Sequence, residues 1–206
     1  IDKKTKVIIS IFAGRMADKG KDPLPIFKKS ISLTKKNKNI EILWASTREA
    51  YNYTQAKQIN CNIITMPPKV IKQIANENLN CNLAVSLHSA IQKTRQIIMP
   101  FSEKFPLEDL IESLKYWYKV TKKKILYEYI IFDGINDNIE HIKALVKICK
   151  ILPCKVNFIE YNPTGEEIFR QCKVEKLELY QKYLTNEGIV NTYRVSRCRY
   201  KVIHIQ

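Results

Sequence analysis

The 206-residue sequence lacks a long apolar run and any cysteine pair of the Cys-x-x-Cys type. Without such a run we expect no membrane-spanning helix, and the charged residues 1–6 do not resemble a secretory signal peptide. The six scattered cysteines do not offer the clustered ligands that zinc or iron–sulfur sites need. Cys61, Cys81 and Cys154 each open an apolar segment, which favours buried, reduced thiols in a cytoplasmic protein.

Acidic residues are also few, and the formal net charge is +15. Such an excess is typical of proteins that bind an anionic partner such as RNA. However, 28 of the 35 basic residues are lysine and they are spread along the whole chain. The charge therefore supports a nucleic-acid partner without locating a binding surface.

Seven apolar segments alternate with amphipathic, helix-forming segments. The predicted strands cover residues 7–13, 40–45, 61–66, the stretch beginning at 82, 124–132, 155–161 and 189–195. Strict alternation of strands and helices favours parallel pairing with right-handed crossovers. We therefore predict an α/β fold of parallel βα repeats, a TIM-barrel-like partial or hybrid barrel, with an open sheet as the alternative.

Polar side chains follow the predicted strands at their carboxyl ends, where α/β barrels bind their ligands. They are Ser10, Arg15, Ser46, Arg48, Thr65, Ser86, His88, Asp133, Asn136 and Asn162. For Asp133 and Asn136 a turn and a helix cap are the favoured roles. Ser46 and Glu49 match a capping box that would begin a helix.

The stretch Asn82-Leu-Ala-Val-Ser-Leu-His-Ser89 is the clearest candidate site. In an extended chain, Ser86 and His88 would point to the same side. The alternative is that Ser86 begins a turn and His88 is an ordinary loop histidine.

Residues 68–197 resemble the radical S-adenosylmethionine methyltransferases that methylate carbon 2 of adenine in ribosomal RNA and in some tRNAs. The matching blocks are Ser86-Leu-His88, Met99-Pro100, Phe105-Pro-Leu-Glu108, Tyr127-Glu-Tyr-Ile-Ile-Phe-Asp-Gly-Ile-Asn-Asp137, Pro153-Cys-Lys-Val-Asn157, Tyr161-Asn-Pro163 and Arg194-Val-Ser-Arg197. The resemblance implies that Ser86, Leu87, His88 and Asn162 contact S-adenosyl-L-methionine. It also implies ribosomal RNA, and possibly tRNA, as partners.

That family also uses a [4Fe-4S] cluster, held by a Cys-x-x-x-Cys-x-x-Cys loop that this sequence does not contain. Cys198 lies near the position of a family glycine, so we do not assign it as the methyl-carrying cysteine. We therefore expect this polypeptide to be a fragment that is inactive alone, with no catalytic residue and no metal ligand assigned.

Residues 7–66 resemble the last βα units of a transaldolase-type aldolase barrel. The matching blocks are Ile9-Ser-Ile-Phe-Ala-Gly-Arg15, Leu43-Trp-Ala-Ser46 with Arg48-Glu49, and Cys61-Asn-Ile-Ile-Thr65. The resemblance implies that Ser10 and Arg15 bind a sugar phosphate, for which an arginine fork is suited. The lysine that forms the Schiff base in that family has no counterpart here.

Three segments follow from the two resemblances: transaldolase-like units over 1–66, methyltransferase units over 67–198 and a divergent tail over 199–206. Three readings remain open at this point. The chain is a methyltransferase fragment, a sugar-phosphate enzyme fragment or a non-catalytic hybrid barrel.

Overall fold

The computed structural model describes residues 7–77, 81–161 and 168–194. These residues contain seven strands in two parallel sheets, together with eight α-helices. The predicted α/β fold of parallel βα repeats is therefore confirmed. The chain divides into two compact units, whose described residues are 7–74 in the first and 75–77, 81–161 and 168–194 in the second. None of the described helices combines the length and apolar character that crossing a membrane requires.

The first unit contains a three-stranded sheet of order β1-β2-β3. Its strands are β1 (Val7–Phe12), β2 (Ile40–Ala45) and β3 (Ile63–Ile64). Three helices accompany them: α1 (Ala13–Ala17), α2 (Leu24–Thr34) and α3 (Tyr51–Gln58). Helix α4 (Pro68–Asn76) follows and leads into the second unit.

An aromatic stack forms the centre of the first unit. Phe27 from α2 and Trp44 from β2 are both fully buried, and their ring centroids lie 4.4 Å apart. Ile11, Ala13, Ile42 and Ala56 complete this buried cluster. Burial of two large rings contributes several kcal/mol of stability, at about 25 cal/mol per Å² of apolar surface.

The second unit contains a four-stranded sheet of order β4-β5-β6-β7. Its strands are β4 (Leu83–Ser86), β5 (Ile125–Tyr129), β6 (Cys154–Ile159) and β7 (Asn191–Arg194). Its helices are α5 (Gln92–Ile98), α6 (Leu107–Thr121), α7 (Ile139–Cys149) and α8 (Val174–Asn186), with a 3-10 helix over Pro100–Lys104.

One face of this second sheet is apolar and carries the core. Tyr127 and Tyr129 from β5 and Phe158 from β6 are buried there, together with Tyr180 from α8. The rings of Tyr129 and Phe158 meet edge to face, with centroids 6.0 Å apart. Because side chains alternate along a strand, the residues between them face the other side. That second face is polar and only partly buried.

The predicted capping box at the start of α3 is wrong. The helix begins at Tyr51, and Ser46 has a left-handed φ of 64° that does not suit an N-cap residue. The side chain of Asn52 instead accepts hydrogen bonds from the main-chain N–H groups of Arg48 (3.0 Å) and Glu49 (3.3 Å). The side-chain amide of Asn52, within the first turn of α3, therefore accepts the main-chain hydrogen bonds that the Ser46 hydroxyl was predicted to accept.

Candidate ligand-binding site

The turn that follows β4 is built by a shared main-chain acceptor. The N–H groups of Leu87 and His88 both donate to the carbonyl oxygen of Glu128, at 3.0 and 3.4 Å. His88 has a left-handed φ of 52°. The chain therefore leaves the extended conformation directly after Ser86, and the two-residue spacing does not by itself place Ser86 and His88 on one side.

Asn136 fixes this turn from the loop after β5. Its Nδ2 donates to the carbonyl oxygens of His88 (2.7 Å) and Ile130 (2.9 Å), and its Oδ1 accepts from the N–H of Phe132 (2.6 Å). The side chain is fully buried. A buried amide with these three partners is well satisfied, and it connects two adjacent strand ends.

The favoured cap role for Asn136 is therefore corrected. The N-cap residue of α7 is Asn138, whose side chain accepts from the N–H groups of Glu140 and His141. The loop that carries the capping amide was predicted correctly, but the wrong asparagine was chosen as the cap. Asn136 and Asn138 both precede α7, and the sequence alone does not distinguish them.

The imidazole of His88 is held in one tautomer. Its Nδ1 accepts a hydrogen bond from the N–H of Ile130 at 3.2 Å, so the ring proton of the neutral form lies on Nε2. Burial, reinforced by the positive charge of Arg95, lowers the pKa of His88 from 6.5 to about 4. Near neutral pH this side chain is consequently an uncharged hydrogen-bond donor through Nε2.

A row of four polar side chains crosses the polar face of the second sheet. Strand register aligns Ser86 with Glu128, Glu128 with Asn157 and Asn157 with Thr192. The side chain of Asn157 donates to the Glu128 carboxylate at 3.0 Å, and the Thr192 hydroxyl donates to the side-chain Oδ1 of Asn157 at 3.1 Å. The row therefore presents a hydroxyl, a carboxylate and an amide along one line.

Glu128 is the charged member of the polar row. Its half-burial raises the pKa of the carboxyl, while the Asn157 hydrogen bond and the charge of Arg194 act in the opposite direction. A half-buried carboxylate beside an amide and a hydroxyl suits a ligand with amino and hydroxyl groups. Glu128, Asn157 and Thr192 were not predicted as site residues, because the prediction considered strand ends and these residues lie within β5, β6 and β7. The alternation of Leu126 and Glu128 with the buried Tyr127 and Tyr129 was the available signal.

The other predicted site residues lie in different surroundings. Leu87 is fully buried, so its main chain rather than its side chain is available to the turn. Asn162 lies outside the described residues. In the first unit, Ser10 lies within β1, whereas exposed Arg15 lies on α1 with its guanidinium 4.4 Å from the centroid of the Phe12 ring.

The described residues do not fit an iron–sulfur cluster. They contain no group of three or more metal-ligating side chains, whereas a cluster of this class is held by several thiolates. The polar row and the Nε2–H of His88 do fit a different kind of group. A nucleoside with an attached amino acid has hydroxyl and ammonium groups that these acceptors and donors match.

Comparisons with known proteins give two matches that overlap along the chain. The transaldolase/fructose-6-phosphate aldolase family model matches residues 2–127. The C-terminal part is 53% identical over 130 residues to a probable dual-specificity RNA methyltransferase RlmN of Flavobacterium johnsoniae. Over 127 residues the chain is 35% identical to the dual-specificity RNA methyltransferase RlmN of Nautilia profundicola. These stretches are 63% and 62% of this chain but only 37% and 36% of the relatives.

Solved structures show the same fold over nearly the whole chain. A radical SAM methyltransferase from Sphaerobacter thermophilus aligns with a TM-score of 0.69 and 23% identity, over 92% of this chain and 59% of its own. Streptococcus suis SuiB bound to S-adenosylmethionine aligns with a TM-score of 0.56 and 15% identity, over 94% and 47% respectively. The RlmN relatives confirm the predicted methyltransferase resemblance, and the family-model match confirms the transaldolase resemblance.

Proposed function

The chain belongs to the transaldolase/fructose-6-phosphate aldolase family through residues 2–127, and because its C-terminal part is similar to RlmN, we propose that it keeps an S-adenosylmethionine site of the methyltransferase type. The observation that supports this proposal is the polar row from Ser86 to Thr192, together with the hydrogen-bonded turn at His88 that follows β4. We place this chain among fragments of cytoplasmic enzymes that methylate carbon 2 of adenine in ribosomal RNA and tRNA.

The binding residues follow from the geometry and the resemblance together. Ser86, Glu128 and Asn157 offer groups for the ribose and the ammonium, and His88 offers Nε2–H to an acceptor. Asn162 is included on the resemblance alone. S-adenosylmethionine supplies the methyl group in the family reaction, while the residues of this chain bind and orient it.

We further propose that the polypeptide alone does not complete methyl transfer. The sequence contains no Cys-x-x-x-Cys-x-x-Cys loop, and the radical route needs a cluster to cleave the cofactor. Anaerobic reconstitution with iron and sulfide, followed by an assay on ribosomal RNA, tests this point. We expect no methylated adenine, and detection of 2-methyladenosine would overturn the proposal.

Calorimetric titration with S-adenosylmethionine tests binding separately from activity. We expect the parent chain to bind it and His88→Ala or Asn162→Ala to weaken binding about tenfold, as the loss of one or two hydrogen bonds predicts. Ser10→Ala lies in the first unit and is the matched control. If the parent shows no heat of binding, or if all variants behave alike, the proposed site is not formed.

The family match favours a sugar-phosphate enzyme as the second candidate. In that reading Ser10 and Arg15 would bind the phosphate, but the sequence offers no lysine at the Schiff-base position. Borohydride trapping with a keto-sugar phosphate tests it directly, because only a Schiff base gives a stable covalent adduct. We expect no adduct, and an adduct would replace the methyltransferase assignment. A chain that neither binds S-adenosylmethionine nor forms an adduct would be a non-catalytic hybrid.

A further inference from the structure

The loop that leaves β5, residues 132–137, supports the turn at His88 through one side chain. Nδ2 of Asn136 donates to the carbonyl oxygen of His88 at 2.7 Å, so a displacement of the loop is transmitted to the turn. Within the loop, the N–H groups of Ile135 and Asn136 donate to the carbonyl oxygen of Phe132, at 3.2 and 3.4 Å. These two bonds form a single turn and do not fix its orientation, so contacts from other segments have to do so.

The chain that leads into α8 pairs with the start of this loop. Gln171 forms an antiparallel β-bridge with Phe132, and the N–H of Asp133 donates to the carbonyl oxygen of Arg170 at 3.1 Å. The rings of Phe169 and Phe132 are in contact, with centroids 4.9 Å apart. Main-chain and aromatic contacts therefore fix the first two residues of the loop.

Helix α8 holds the end of the same loop. The hydroxyl of Tyr180 donates to the main-chain carbonyl oxygen of Asn136. One helical turn earlier, Lys176 forms an ion pair with the carboxylate of Asp137 at 3.8 Å. The side chain of Lys176 is 42% exposed, so this ion pair contributes little. Tyr180 is fully buried, and its hydrogen bond is the stronger of the two contacts.

The surroundings of Tyr180 make its hydroxyl a fixed point. Its ring centroid lies 6.1 Å from that of Tyr129 on β5 and 5.9 Å from that of Phe158 on β6. Because protein interiors are closely packed, a ring in this position cannot follow a moving loop. The hydroxyl of Tyr180 thus connects Asn136 to the core of the two central strands.

We propose that Tyr180 is a positioning residue for the S-adenosylmethionine site, and this inference rests on the proposed function. Tyr180 acts through two successive hydrogen bonds. Its hydroxyl holds the main chain of Asn136, and the side chain of Asn136 holds the carbonyl oxygen of His88. Loss of the first bond loosens the turn, and with it the direction in which His88 presents Nε2–H.

Spectra of the ligand-free chain test the positioning role. Tyr180→Phe removes the hydroxyl and keeps the ring in the core. Tyr183→Phe is the matched control, because it removes an equivalent hydroxyl three residues further along α8 and leaves the Tyr180 bond to Asn136 in place. The ¹⁵N resonance of His88 Nδ1 reports the hydrogen bond from the N–H of Ile130. We expect it to move toward the value of an unbonded ring nitrogen in Tyr180→Phe and to stay unchanged in Tyr183→Phe.

An unchanged resonance in Tyr180→Phe would overturn the positioning role, whether or not the chain binds S-adenosylmethionine. Urea unfolding of each variant identifies conditions under which both are folded. A purely structural role for Tyr180 would lower its unfolding midpoint without moving the His88 resonance under those conditions.

Calorimetric titration with S-adenosylmethionine then measures the effect on binding. We expect Tyr180→Phe to raise the Kd about three- to tenfold, as the weakening of one hydrogen bond to the ligand predicts, and Tyr183→Phe to leave it unchanged. A moved His88 resonance with an unchanged Kd would overturn the link between the turn and the ligand. The absence of any heat of binding in the parent would overturn the proposed function instead, and the imidazole spectra would then decide the positioning of the turn on their own.

Discussion

The side-chain amide of Asn136 donates to the main-chain carbonyl of His88 at 2.7 Å, from a loop that lies 48 residues further along the chain. The same buried amide holds Ile130 and Phe132. One asparagine thus determines the path of the turn after β4 and of the chain leaving β5. The geometry of the candidate site depends on this connection.

Replacing Asn136 should therefore be more costly than a typical surface change. Asn136→Ala leaves two carbonyl oxygens and one N–H without their partner in a buried place, so we expect a loss of about 3–5 kcal/mol in the free energy of unfolding. Asn138→Ala is the matched control, since losing an N-cap costs about 1 kcal/mol. Urea denaturation of both variants measures the difference, and equal losses would contradict the assigned role of Asn136.

The pH dependence of stability should report the neutral state of His88. Its pKa is about 4 in the folded chain and 6.5 without perturbation, so below pH 6.5 the unfolded chain binds a proton that the folded chain does not. Stability should fall as pH decreases from 6.5 to 4, by at most about 3 kcal/mol, and should not change through this group above pH 6.5.

His88→Asn is the comparison for this measurement, because asparagine tolerates the left-handed backbone and does not titrate. The pKa of His141 is also lowered by burial, and its contribution persists in the variant. Urea midpoints measured between pH 4 and 8 should show a shallower decline for His88→Asn. Parallel curves for parent and variant would show that His88 titrates normally.

Gly14 should not tolerate a side chain. A Cβ at this position would lie 2.0 Å from the carbonyl oxygen of Ser46, which is main chain and has little freedom to move. We expect Gly14→Ala to destabilise the first unit by about 3 kcal/mol or more through overpacking. Gly20→Ala is the control: it has a φ of +69° but open space, and should cost only about 1 kcal/mol.

The two tryptophans allow this effect to be assigned to the first unit. Trp44 lies in the core of the first unit and Trp117 lies on α6 of the second. In a Trp117→Phe background, fluorescence follows the first unit alone. A similar unfolding midpoint for Gly14→Ala and Gly20→Ala would show that the chain relaxes around the new methyl group.

Periodicity predicted the frame of the protein more reliably than its turns. Strands β1 and β2, over Val7–Phe12 and Ile40–Ala45, lie within the predicted ranges 7–13 and 40–45, because their apolar runs mark both strands locally. The start of α3 was predicted incorrectly because a capping pattern does not reveal the left-handed φ of Ser46. The role of Asn136 was missed for a related reason, since its hydrogen bond to the carbonyl oxygen of His88, 48 residues away in the chain, depends on the meeting of two strands. Local sequence identifies which residues are polar, whereas tertiary contacts decide what they bind.

Arg95 provides a separate test of the electrostatics at His88. Its side chain is buried and donates to the carbonyl oxygen of Phe105 at 3.1 Å, while its Nε has no hydrogen-bond partner within the described residues. Its positive charge is the second cause that lowers the pKa of His88, after burial. Arg95→Met removes the charge and keeps much of the apolar stem.

We therefore expect Arg95→Met to raise the pKa of His88 above about 4 but to leave it below 6.5, because burial is the larger cause. The sequence has only three histidines, so ¹⁵N-detected imidazole resonances assigned through His88→Asn allow a direct titration. The titration also reports the tautomer, which the hydrogen bond from Ile130 should keep protonated on Nε2. An unchanged pKa would show that solvent screens Arg95 from His88, and a value near 6.5 would show that the charge, rather than burial, is the main cause.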